Sequence, residues 1–337
     1  MISAERKLLE WIWLHEAPPP EPIDWVWEGY VARGRTSLLS GFAKAGKSTL
    51  LGLLFKEMSG EGGGSLITPV KSTKVLILSE EHLEEWLERR ERLGLGDHIA
   101  HASTQWGHKL TAPQWLSLTG EVAKMCLEQE IGLVVYDTLA RMSPARDENN
   151  SMEVAATLAT LDILKQSGLA VLLVHHARKG DGTVGSGQEG RGSGEFPAYG
   201  DINMEFGYYR VNQPEDDRRR VLCARGRPQG IPPKIVLELS DDGGTYEVLG
   251  TGAELAAQGL AEAIEGLLLG ANGRSLSAGE IASKLVYSPN SRYLSKVLAE
   301  GVEKKRWLQV GEGRKNSPFR YRSGVGKGHT KFEVRGD

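Results

Sequence analysis

Residues Gly41 to Thr49, GFAKAGKST, hold the spacing G-x-x-x-x-G-K-[ST]. These residue types at this spacing hold phosphate. Gly41 and Gly46 let the backbone wrap an anion without a Cβ in the way. Ala43, Lys44 and Ala45 supply inward-facing N–H groups between them, and Thr49 completes the set. Lys47 has the reach and the charge for β- and γ-phosphates, and Ser48 offers a hydroxyl to Mg²⁺. The chemistry is the binding of a nucleoside triphosphate with its magnesium ion.

Three other strand ends carry groups that complement such a loop. The apolar run Lys74 to Ser79 ends in Glu80 and Glu81. A carboxylate there could orient water for attack on a γ-phosphate, and Glu81 is placed ahead of Glu80. The run Gly132 to Tyr136 ends at Asp137, which suits the Mg²⁺ shell opposite Ser48. The run Ala170 to Val174 ends in His175 and His176. No third ligand lies nearby to make them a metal pair, so His176 is read as a neutral donor that senses the γ-phosphate. Arg225 and Arg227 close a fourth strand with no local acid partner, which points to phosphate contact, reaching into a neighbouring subunit. Arg178 and Lys179 lead into a glycine-rich loop over 180–194 that carries Arg191, suited to gripping a phosphate backbone.

The elements that must position these groups read as alternating strands and helices. Thr36 to Ser40 is a short buried strand before the loop, and Leu50 to Met58 an apolar helix after it. Helices are expected over Leu83 to Leu93, Gln114 to Gln129 and Met152 to Ser167, the last capped by Ser151. Continuous apolar strands are the kind buried in a parallel sheet. Further strands are expected over Asp201 to Gly207, Tyr208 to Val211 and Arg219 to Ala224. Ile235 to Leu239 and Thr245 to Val248 form a terminal hairpin. Residues 2–16 read as a helix with Leu8, Leu9, Ile12 and Trp13 on one face, ended by Pro18 to Pro20. It packs on its own domain or docks on a neighbouring subunit. No apolar run approaches the ~20 residues of a membrane helix. Two lone cysteines, Cys126 and Cys223, make no disulfide framework and suit a reducing cytoplasm.

Residues about 22–250 resemble the RecA-like ATPases of the plasmid RepA-type hexameric helicase group, which is related to the DnaB helicases. The resemblance rests on Trp25, GFAKAGKST, LSEEH at 78–82, YDTLAR at 136–141, DEN at 147–149, VHHARKG at 174–180 and the pair Arg225 and Arg227. It implies ATP and Mg²⁺ as cofactors, Glu81 as base, Asp137 as the Walker B acid and His176 as sensor. It also implies a DNA-facing loop at 180–194 and Arg225 and Arg227 as fingers in the neighbour's ATP site. DnaB-type proteins usually have lysine first in the finger pair, where this chain has Arg225. The plasmid helicase is a compact ATPase domain without the C-terminal module seen here.

That module follows a small-residue linker, 251–259. Helices over Leu260 to Leu269, Glu280 to Leu285 and Ser291 to Lys304 precede strands Trp307 to Val310 and Phe319 to Arg322. Ser277 and Glu280 form a capping box. The order resembles a winged helix-turn-helix. Its long helix would offer Arg292 and Lys296 to a DNA groove, and its wing Arg314 and Lys315 to phosphates. Residues 274–327 carry 12 basic side chains against 4 acidic, which favours a polyanionic partner.

The expectation is an α/β protein. It has a RecA-like P-loop NTPase core with a mostly parallel sheet at 22–250, an N-terminal helix and proline linker at 1–21, a winged-helix domain at 260–323 and a loose tail at 324–337. Its function would be that of a replicative or mobile-element DNA helicase or translocase, a homo-hexameric ring with ATP sites between subunits. Its partners would be single-stranded DNA, double-stranded DNA through the winged helix, and primase, polymerase or other replication proteins. Two rivals stand beside it. One is a DNA-binding ATPase that does not unwind, such as a loader, recombination mediator or plasmid initiation factor. The other is a regulator whose loop only senses nucleotide.

Overall fold

The computed structural model describes residues 11–60, 62–103, 109–176, 184, 194–209, 217–285, 291–314 and 317–324. The elements run β1 (Trp25–Trp27), β2 (Val31–Ala32), β3 (Thr36–Gly41), α1 (Lys47–Glu57), β4 (Gly64–Leu66), β5 (Thr68–Val70) and β6 (Lys74–Ser79). They continue with α2 (Leu83–Leu93), β7 (Ile99–Ser103), α3 (Ala112–Glu128), β8 (Ile131–Asp137), α4 (Leu139–Met142), α5 (Ser151–Thr160), α6 (Asp162–Gln166), β9 (Ala170–His176), α7 (Glu195–Tyr199) and β10 (Ile202–Tyr208). Then come β11 (Arg219–Gly226), β12 (Ile235–Leu239), β13 (Tyr246–Thr251), α8 (Gly252–Gly270), β14 (Leu276–Ser277), α9 (Ala278–Lys284), α10 (Ser291–Glu303), β15 (Trp307–Val310) and β16 (Arg320–Ser323). The chain divides into two compact units. The first holds residues up to Gly207 with Ala224–Pro232 and Asp242–Thr245; the second holds Tyr208–Cys223, Pro233–Asp241 and the chain from Tyr246 onward.

The first unit is built on parallel strands in the order β10-β3-β9-β8-β6-β7. All residues of β3 and β8 are buried, because helices cover both faces of a parallel sheet and leave no wet side. That explains the unbroken apolar runs in the sequence. The register places Gly41 beside His176, Asp137 beside Val174 and Ser79 beside Asp137. Parallel pairing therefore gathers the four chemistry-bearing strand ends at one edge. A separate small sheet, β2-β1-β5-β4, buries Trp27, whose Nε1 donates to the Leu66 carbonyl at 2.8 Å. Strands of two or three residues are too short to show an alternation, so the sequence does not reveal them.

Helix α1 buries Leu50, Leu51, Leu53, Leu54 and Phe55. Gly52 interrupts this run at a cost of about 1 kcal/mol in helix propensity. The reason is space: a Cβ there would sit 2.8 Å from Leu93 Cδ1 and 2.9 Å from Arg89 Cδ.

Several expectations change. Residues 1–10 of the expected N-terminal helix lie outside the described residues. Over 11–16 the chain makes a turn, with the Glu16 and Ala17 amides both donating to the Trp13 carbonyl. Trp11, Ile12, Trp13 and Leu14 are exposed, so no packed face supports a helix there. Asn150, not Ser151, caps α5, accepting from the Met152 and Glu153 amides. The expected long helix breaks at Leu161 into α5 and α6. Tyr208 ends β10 rather than opening a strand of its own. The expected linker at 251–259 is the first half of α8: Thr251 and Glu254 form a capping box that its small residues conceal. Among the described residues no helix is long and apolar enough to cross a membrane.

In the second unit, β11, β12 and β13 form an antiparallel meander. Further along, α8, α9 and α10 close over a core of Leu260, Ile264, Leu268, Ile281, Leu298 and Trp307, beside the sheet β14-β16-β15. Trp307 is 1 % exposed and its Nε1 donates to the Leu298 carbonyl at 3.0 Å. Gly301 makes room for it, since a Cβ there would lie 1.9 Å from the indole. Gly301→Ala gains helix propensity yet overpacks this core. The expected net loss is about 1–3 kcal/mol, read as an earlier urea transition of the full chain.

Candidate nucleotide site

The phosphate loop joins the buried strand β3 to the N-terminus of α1. Gly46 holds φ 100°, where a side chain would be strained, and no side chain caps the first turn of α1. That turn holds no acidic residue, so its N–H groups and dipole face outward for an anion. A Cβ on Gly41 would lie 2.2 Å from the Phe206 carbonyl oxygen, so the loop can only leave the sheet through glycine. Lys47 is buried, and its ammonium donates to the Gly41 carbonyl at 2.8 Å and the Phe42 carbonyl at 3.0 Å. His176 Nδ1 lies 3.4 Å from the same ammonium. Ser48 and Thr49 are half-buried, and Ala43 and Lys44 are exposed at the loop's crest.

Asp137 ends β8 and is 7 % exposed. Burial, then the charge of Glu81, pushes its carboxyl up to about 7, against the pull of Lys47. Burial pushes the Lys47 ammonium down to about 8, with Asp137 and Glu80 opposing. The two strained ionisations share one desolvated space. Ser48 and Asp137 offer hard oxygens, the donor set Mg²⁺ prefers when phosphates supply the rest of its shell. The residues fit a magnesium triphosphate.

The two glutamates after β6 differ in their surroundings. Glu80 is held by its amide, which donates to the Asp137 carbonyl at 2.8 Å. Its carboxylate meets Arg141 Nε at 3.2 Å, on an arginine 74 % exposed. Burial raises its pKa, with Arg141 opposing, then Glu81 adding to the rise. Glu81 instead meets Arg89 Nη1 at 2.9 Å, on an arginine 13 % exposed. Its amide donates to Ser79 Oγ at 3.0 Å. Ser79 and Arg141 lie inside LSEEH and YDTLAR without being singled out there, and Arg89 sits in a charged helix that reads as a solvated face. The one sequence signal was Gly52, a notch in an apolar helix.

His175 is buried and stacks on Phe196 at 4.4 Å, so the histidine pair diverges: one ring packs and the other faces Lys47. Arg227 lies elsewhere. The Arg227 amide donates to the Asp201 carbonyl at 3.1 Å, and Asp201 Oδ2 accepts from the Thr36 amide at 3.0 Å. Thr36 opens β3 and Gly41 ends it, so Arg227 sits at the opposite end of that strand from the phosphate loop. The expectation that the pair has no acid partner is corrected. Arg227 Nη1 is 3.6 Å from Asp201, and Arg225 Nη1 is 4.0 Å from Glu205. The acids come from β10 and the residue just before it, twenty and twenty-six residues earlier, which a local reading does not reach.

Arg178, Lys179, Arg191 and Lys315 lie outside the described residues. Arg292 and Lys296 are exposed on α10, with Lys296 3.8 Å from Glu300. Arg314 is exposed, 3.6 Å from Glu312.

A model of the AAA domain family matches residues 3–182. Among solved structures, a KaiC-like protein from the hyperthermophilic archaeon Pyrococcus horikoshii matches with 15 % identity and a TM-score of 0.48, over 68 % of this chain and all of its own. No curated protein matches.

The raised Asp137 value fixes a stability trend for the ligand-free protein. Between pH 4 and 7 the folded chain keeps a proton that the unfolded chain gives up, so stability falls as pH rises through that window. Asp137→Asn lacks this loss. Melting in nucleotide-free and magnesium-free buffer should show the variant gaining over the wild type from pH 5 to 7.5, by on the order of 1–3 kcal/mol.

Proposed function

The chain belongs to the AAA domain family of ATPases, and on that premise we propose that it hydrolyses ATP to drive a DNA helicase or translocase. The observation that carries this is the convergence of Lys47, Asp137, Glu80 and His176 at one end of a parallel sheet, around an uncapped helix N-terminus. Lys47 neutralises the β- and γ-phosphates, and backbone groups of 41–49 cradle them. Ser48 and Asp137 hold Mg²⁺, which when bound draws charge off the phosphate oxygens. Glu80 orients the water. Its carboxyl is raised in pKa and close to Lys47, held by a hydrogen bond from Thr138 and by an exposed arginine, which is a weak restraint. Glu81, placed first by the sequence reading, has its carboxylate engaged by Arg89, an arginine 13 % exposed. His176 senses the γ-phosphate beside Lys47.

Arg227 lies at the end of β3 away from its own loop, which supports a ring with sites between subunits and fingers supplied in trans, while Arg225 reaches Glu205 beside Ser40. In this reading residues 22–250 are a RecA-like core, the ring is a hexamer and 180–194 faces single-stranded DNA. Residues 260–323 are a winged helix that carries Arg292 and Lys296 to duplex DNA, with Arg314 and Lys315 on its wing. Primase, polymerase or other replication proteins are the partners such a motor would meet. A second reading, a DNA-binding ATPase that loads or initiates without unwinding, draws on the C-terminal unit, whose separate core carries an exposed basic helix face.

ATP hydrolysis with and without single-stranded DNA, run beside mass photometry, tests the proposal. The expected result is a ring whose turnover rises with DNA. Lys47→Ala should abolish turnover, and Glu80→Gln should cost 10²–10⁴-fold, the usual worth of a general base. A DNA-stimulated ring that separates no strands would select the second reading. A monomer indifferent to DNA would overturn both.

A further inference from the structure

We propose that Arg89 is a positioning residue of the nucleotide site, acting through Glu81 to aim Glu80. The proposal rests on the ATP-hydrolysing reading above.

Arg89 is unlike the other charged residues of its helix. Glu84, Glu85, Glu88, Arg90, Glu91 and Arg92 are exposed, whereas the Arg89 side chain is 13 % exposed. Three contacts hold it. Its Nη1 meets Glu81 Oε2 at 2.9 Å. Its guanidinium lies 4.2 Å from the centre of the Trp86 ring. Its stem lies over Gly52 of α1, where any Cβ would collide with it. Trp86 is itself fixed: it stacks on Phe55 of α1 at 5.8 Å, and its Nε1 donates to Ser79 Oγ at 3.3 Å. The same hydroxyl oxygen accepts the Glu81 amide. Arg89 thus ties the phosphate-loop helix, α2 and the end of β6 at one point.

The consequence follows from backbone geometry. Glu80 and Glu81 are adjacent in the bend that follows β6. Clamping Glu81 against Arg89 therefore fixes the backbone from which the Glu80 side chain projects. Glu80 is near enough to Lys47 for their charges to act on each other, and its amide is fixed on the Asp137 carbonyl. The pair stacked on Trp86, with its arginine 13 % exposed, is the firmer hold. Arg141 on Glu80 is 74 % exposed and holds more loosely, beside a hydrogen bond from Thr138.

The test uses the full chain. Steady-state ATP hydrolysis and binding of a fluorescent ATP analogue are measured for Arg89→Gln, Arg89→Lys, Glu81→Gln, the double variant Glu81→Gln with Arg89→Gln, and Glu80→Gln. Arg89→Gln and Glu81→Gln are each expected to lower kcat about tenfold, with KM and analogue affinity within about twofold. The double variant should lose no more than either alone, because both changes cut one link. Arg89→Lys keeps the charge but not the stacked fork and should recover part of the rate. Two single losses that multiply in the double variant would overturn the proposal. So would a lowered melting temperature and analogue affinity with kcat kept, for that is a packing role. Glu81→Gln as inactive as Glu80→Gln would make Glu81 the base and overturn it as well. A wild type that binds the analogue but never turns over would sink the hydrolysing reading itself.

Discussion

Two opposite charges, the Lys47 ammonium and the Asp137 carboxylate, are buried at the same end of one parallel sheet, each 7 % exposed. Removing them from water is costly, and their proton affinities record it. The fall of Lys47 from 10.5 to about 8 amounts to roughly 3 kcal/mol against its charged form. Strands β3 and β8, buried along their whole lengths, hold the two groups in place and forbid retreat to solvent. Lys47 meanwhile spends its hydrogen bonds on the carbonyls of Gly41 and Phe42. A polyphosphate would offer that ammonium better partners and restore its charged form. The loop is thus stable enough to exist and unsatisfied enough to bind.

Much of this was legible because parallel sheets are written plainly. Runs such as Lys74 to Ser79 and Ala170 to Val174 have no polar face, and each ends where chemistry begins. Helix α2 was bounded correctly from its charge and leucine pattern. The losses have physical causes. A capping box hidden among alanines and glycines made the head of α8 look like a linker. The acid partners of Arg225 and Arg227 arrive from the stretch Asp201 to Glu205, a tertiary fact that no local window holds. The roles of Glu80 and Glu81 depend on which arginine each meets, and adjacent identical residues give no hint of that.

Those two glutamates show how burial assigns roles. Both carboxylates pair with arginine at similar distances, 3.2 Å and 2.9 Å. Distance alone does not separate them. The exposure of the arginine does: Arg141 is 74 % exposed, and an ion pair in water contributes about 0–1 kcal/mol and breaks readily, whereas Arg89 is 13 % exposed and lies on an indole. The same rule explains a glycine in a leucine-rich helix, since Gly52 gives up helix propensity so that Arg89 can lie flat.

The rule bears equally on the far end of β3. Arg227 is 71 % exposed and 3.6 Å from Asp201. Such a pair is cheap to open, so an acid partner within the chain is no argument against a role in a neighbouring subunit. Asp201 would not be stranded by that departure, because it also accepts the Thr36 amide. Asp201 is 15 % exposed and keeps that second partner, where a buried orphan would be costly. Glu81 differs because its arginine is 13 % exposed against 71 % for Arg227. One pair is built to part and the other to stay, and exposure rather than proximity tells them apart.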